Sequence, residues 1–154
     1  MTDQEKRDKD VEDFREHCRQ QLPILRQQVE GIEPSSIKTW EECRKYWRLR
    51  ETIVIFNDMA IEREYYPAEY YRDCMNLAIE CLTHAKTVSK ESHERLYEKY
   101  FDMRSDFVCE AHCKVGTKYY PRWGKLAEGE EKKIWEEVIE LDSKFWDLSP
   151  HELA

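Results

Sequence analysis

The chain of 154 residues has little glycine and little proline, four of one and five of the other. Sandwiches and barrels need many turns built from those residues, so the composition points away from an all-β architecture. Long hydrophobic runs are missing too. The longest apolar cluster, Ile53 to Phe56, is far below the roughly 18 residues of a membrane span, so no membrane partner is expected. The N-terminal stretch MTDQEKRDKDVEDF has no apolar segment of the kind a secretory signal carries. The six cysteines, Cys18, Cys43, Cys74, Cys81, Cys109 and Cys113, are therefore expected to be reduced thiols in a cytoplasmic or nuclear protein. No paired CxxC, Gly-rich phosphate loop, GxSxG or HExxH occurs. His17, His84, His93, His112 and His151 have no neighbouring Ser or Asp in an arrangement that suggests nucleophilic catalysis. The expectation is that the protein is not an enzyme. An excess of positive charge is also lacking. With 25 basic and 33 acidic residues the formal charge is −8, which repels nucleic acid and anionic membranes at long range.

What the chain does have is 38% charged and 40% apolar residues, with 12% aromatic. That is the balance of a helical protein with a solvated outer face, and the aromatic share argues against global disorder. Length and composition fit one all-α domain over residues 1–154, built as an antiparallel bundle of about five helices. Its most apolar extended stretch is PAEYYRDCMNLAIECLTHAKTV, from Pro67 to Val88. Cys74, Leu77, Ala78, Cys81, Leu82 and Ala85 recur there at helical spacing, which puts them on one face. The small residues Ala78, Cys81 and Ala85 admit close neighbours. This stretch is expected to be the central helix.

Residues 1–10 alternate acid and base and are expected to fray or to extend a helix by paired charges. From Val11, a narrow stripe of Val11, Phe14, Cys18, Leu22, Leu25 and Val29 predicts a helix, with a bend or restart at Pro23 and a cap at Gly31. Thr39-Trp40-Glu41-Glu42 reads as a capping box that opens a helix running to about Tyr65. That helix has two adjacent apolar stripes, so both its flanks are expected to be covered. Ser89 and Ser92 offer N-caps for a further helix ending near Gly116. A last helix starts around Glu128, whose glutamates suit the positive end of the helix dipole, and stops at Ser149-Pro150.

Residues 44–67 echo residues 98–121 at an offset of 54. Lys45-Tyr46-Trp47 falls on Lys99-Tyr100-Phe101, Leu49-Arg50 on Met103-Arg104, Val54 on Val108, and Tyr65-Tyr66-Pro67 on Tyr119-Tyr120-Pro121. Two tandem helical hairpins, over 39–88 and 92–148, would produce this pattern.

Three sets of residues suggest chemistry. Cys81 with His84, and Cys109 with His112 and Cys113, are spaced so that two antiparallel helices could assemble a Cys/His zinc site. Against this, free cysteine in an apolar stripe behaves as a small hydrophobe, and no bound metal is the expectation. The acidic pairs Glu41-Glu42 and Glu137/Glu140 resemble the carboxylates of helical metal-dependent hydrolases, but they do not repeat at matching intervals on two helices and read better as solvated faces. The third set is basic and aromatic. Trp40, Arg44, Tyr46, Trp47 and Arg48 lie on the second helix, and Tyr119, Tyr120, Arg122 and Trp123 lie in the loop before the last. Tyr, Trp and Arg are the usual anchors of protein interfaces. The function expected is a non-enzymatic interaction or adaptor module that binds a partner peptide or protein, or a second copy of the chain. RNA or single-stranded nucleic-acid binding by the same stretches is the alternative.

Overall fold

The computed structural model of the chain describes residues 1–59, 67–116 and 125–150. They form five helices and one short 3-10 turn, with no strand among them: α1 (Asp3–Glu30), the turn Pro34–Ser36, α2 (Trp40–Met59), α3 (Ala68–Val88), α4 (Lys90–Val115) and α5 (Gly129–Asp147). The all-helical bundle expected from composition is what the chain adopts.

The helix ends follow local chemistry. Thr2 caps α1 by accepting from the Glu5 N–H. At α2 the Glu42 N–H donates to Thr39 Oγ1 at 3.2 Å, and the Thr39 hydroxyl donates to the Glu42 carboxylate at 2.9 Å. The box is thus closed side chain to side chain. Only Ser89 separates α3 from α4; its hydroxyl accepts from the Ser92 N–H at 3.0 Å, and the two helices fold into a hairpin. α4 ends on Gly116 at φ 79°, the left-handed region that a side chain would strain. Gly31 also caps a helix, but at φ −75°, so its conformational freedom is not used.

Pro23 departs from expectation. α1 continues through it as a single helix. Proline removes only one intrahelical hydrogen bond, and Pro23 is exposed, where water can serve the carbonyl it leaves. α2 is described only as far as Met59, so its expected extension to Tyr65 lies outside the described residues.

α3 sits at the centre, packed against α2, α4 and α5. All six of its predicted core positions are buried, with Ala78, Cys81, Leu82 and Ala85 completely so. One core cluster gathers Cys43, Tyr46 and Trp47 of α2, Leu77, Ala78, Cys81, Leu82 and Ala85 of α3, Leu96, Tyr97 and Tyr100 of α4, and Phe145 of α5. A second gathers Ala68 and Met75 of α3, Val108 and Ala111 of α4, Ala127, and Trp135, Val138 and Leu141 of α5. α1 packs chiefly on α2, so α2 is covered on both flanks, as its two stripes require. No helix among the described residues is long and apolar enough to cross a membrane.

Candidate functional site

The basic–aromatic residues of α2 divide between core and surface. Tyr46 and Trp47 are only 4% and 2% exposed. The structure places both in the core rather than on a partner-facing surface, and the reason is local. The Trp47 indole N–H donates to His84 Nδ1 at 2.9 Å, and His84 Nε2 lies 3.0 Å from the Pro34 carbonyl. Since Nδ1 accepts, the ring proton sits on Nε2 and is donated to that carbonyl. The indole thus has its polar partner inside, and α2, α3 and the 3-10 turn are tied together. The Tyr46 hydroxyl accepts from Arg50 at 3.1 Å, and Arg50 also pairs with Glu80 of α3 at 3.0 Å. Burial of Arg50 opposes its charge, but the Tyr46 hydroxyl and Glu80 more than offset that and raise its pKa.

Trp40, Arg44 and Arg48 behave differently. They are four residues apart in succession, which aligns them in one row along α2. Trp40 is half-buried, and Arg44 and Arg48 are exposed. The Arg95 guanidinium of α4 lies 5.2 Å from the Trp40 ring centre and is held by Glu91 at 3.0 Å. Neither Arg44 nor Arg48 has an ion-pair partner among the described residues. Tyr119, Tyr120, Arg122 and Trp123 lie outside the described residues.

The candidate zinc residues Cys81, His84, Cys109, His112 and Cys113 are not grouped as a metal-holding set among the described residues. Cys81 is fully buried, and burial pushes its thiol pKa well up. Both ring nitrogens of His84 are already engaged. Cys109 and Cys113 are on the outer side of α4, exposed and half-buried respectively. Among the described residues no three His, Cys, Asp or Glu side chains are grouped to hold a metal. Buried Cys74 is no more available as a thiolate, since loss of hydration pushes its pKa up to about 12.

One polar cluster is not apparent from sequence periodicity. Arg104 is buried, pairs with Asp142 of α5 at 2.8 Å, and packs 4.8 Å from the Phe101 ring centre and 4.7 Å from that of Trp146. The echo contained the signal. Arg104 aligns with Arg50, and each arginine stacks on the ring three residues before it and pairs with a carboxylate of the following helix. Periodicity alone marks such a residue as surface, because an arginine on an apolar face looks like a break in the stripe.

No protein-family model matches the chain, and neither a curated protein nor a solved structure is similar to it. Function must therefore be argued from these residues.

Proposed function

We propose that the protein is a non-enzymatic helical module that grips an acidic segment of a partner protein along the outer row of α2. Arg44 and Arg48 pair with partner carboxylates, and the half-buried Trp40 ring supplies apolar contact beside them. The supporting observation is that these two exposed arginines have no ion-pair partner among the described residues. Acidic residues outnumber basic ones, 33 to 25, and arginines such as Arg19, Arg50, Arg95 and Arg104 all find carboxylates within the chain. Two neighbouring guanidinium groups left facing solvent on one row are therefore a pattern that an acidic ligand would complete. Arginine forms bidentate bonds to carboxylates, and tryptophan is enriched at binding hot spots. Tyr119, Tyr120, Arg122 and Trp123 provide a second set of the same residue types and serve as further anchors.

The test is affinity capture with the full chain, followed by mass spectrometry, beside the Arg44→Glu/Arg48→Glu variant. Both residues are exposed, so the variant should keep the wild-type helical spectrum. Proteins held by the wild type and released by the charge-reversed variant are the expected result. Capture of RNA whose binding falls steeply with added salt would favour nucleic acid instead, because phosphate binding releases counterions. Equal capture by both proteins would remove the arginine row from the mechanism.

A further inference from the structure

The cysteines fall into two classes. Cys18, Cys43, Cys74 and Cys81 are buried, whereas Cys109 is exposed and Cys113 half-buried. Cys109 and Cys113 are four residues apart on α4, so their side chains leave the helix on the same side, one above the other. Loss of hydration and the neighbouring Cys109 push the Cys113 thiol pKa up.

The helix end that carries them is fixed. The Gly116 N–H donates to the His112 carbonyl at 2.9 Å, and the Ala127 N–H donates to the Lys114 carbonyl at 3.0 Å. The last turn of α4 is thus closed by its own cap and clasped by the segment that enters α5. In such a helix Cβ atoms four residues apart stand about 5–6 Å from each other. A disulfide needs them at about 3.5–4.5 Å, so closing one here would distort the clasped turn. A single atom bonded to both sulfurs at about 2.3 Å each spans the gap without moving the backbone.

Ligand chemistry narrows the class of that atom. Calcium and magnesium require oxygen ligands in number, and structural zinc requires four ligands. No third His, Cys, Asp or Glu joins the two thiols in a metal-holding group among the described residues. Two thiolates alone suit a soft cation of low coordination number, of which Cu(I) is the biological representative.

We propose that Cys109 and Cys113 form a two-thiolate site for one soft monovalent cation of the Cu(I) class. Binding breaks two S–H bonds, forms two S–Cu bonds and releases two protons. Copper stays Cu(I), so no electrons are transferred and no co-reactant is needed. The bis-thiolate complex carries one negative charge, which Glu110 opposes and Lys114, paired with Glu110 at 3.9 Å, favours. The buried cysteines do not compete, because reaching them requires opening the core. The site is independent of the arginine row on α2.

The test is an anaerobic titration of the reduced full chain with Cu(I), in competition with a chromophoric Cu(I) chelator. The wild type should withdraw one copper per chain and develop a sulfur-to-copper charge-transfer band in the near ultraviolet. The Cys109→Ser/Cys113→Ser variant should lose both signals while keeping its far-ultraviolet helical spectrum. Serine keeps the shape of both surface positions, so the loss reads on ligation and not on folding. Equal copper withdrawal by wild type and variant would overturn the proposal, as would no withdrawal by the wild type. It also fails if glutathione disulfide quantitatively converts the pair to an internal disulfide, detected as the loss of two hydrogens by mass, with the helical spectrum intact.

Discussion

α1 and α3 both announce themselves in the sequence as helices with an apolar stripe, yet they lie at opposite extremes of burial. α3 buries eight of its 21 residues, whereas α1, with 28, buries only Cys18 and Leu22. The difference comes from what surrounds each stripe. α3 carries Ala78, Cys81 and Ala85 at zero exposure, and these small side chains let α2 and α4 come close on either side. The stripe of α1 meets chiefly α2. Its outer part, at Val11 and Phe14, is 48% and 46% exposed. Spacing tells which face of a helix turns inward; it does not tell how many neighbours wait there.

The comparison breaks most sharply in the centre. Leu82 of α3 is completely buried in the first core cluster. Truncation there removes transfer free energy and leaves a cavity, and Leu82→Ala should cost about 3–5 kcal/mol in urea-induced unfolding. A loss below about 1 kcal/mol would mean that α3 is not the central helix in solution.

Trp47 on α2 lies between the two extremes. Trp47→Phe keeps an aromatic ring in the core but deletes the indole N–H that serves His84 Nδ1. An unsatisfied part-buried acceptor and a small void should together cost about 2 kcal/mol by the same unfolding measurement. His84→Ala in the Trp47→Phe background should then cost less than in the wild type. The two residues share one interaction, and additivity fails for such pairs. Full additivity would mean that the Trp47–His84 bond contributes nothing.

Much of the fold was legible before any coordinates. The α3 stripe, the Thr39 box, the Ser89 cap and the Gly116 stop are local signals, and each is realised. Candidate interface residues were harder to place, because local patterning is blind to the polar atoms of other helices. Trp40 and Trp47 looked alike as aromatic anchors on one helix, and only a partner for the indole N–H separated them. His84 supplies it from α3, 37 residues further along the chain. Arg50 and Arg104 were likewise hidden, since their carboxylates come from the following helix. The Tyr119, Tyr120, Arg122 and Trp123 group lies outside the described residues.

The smallest effect is expected at the outer part of α1, and it sharpens the comparison by its size. Phe14 meets Phe56 of α2 edge-on at 6.4 Å and His17 at 6.5 Å, but nearly half of it faces solvent. A well-packed aromatic pair adds about 0.5–1.5 kcal/mol beyond area burial. A half-exposed pair should give the lower end, so Phe14→Ser should cost about 0.5 kcal/mol in urea. The measurement should not depend on protein concentration. If Phe14→Ser costs as much as Trp47→Phe, the ring must be covered in solution by something beyond a single chain. A second copy would then show itself as wild-type stability that rises with protein concentration, because association stabilises the folded form by mass action.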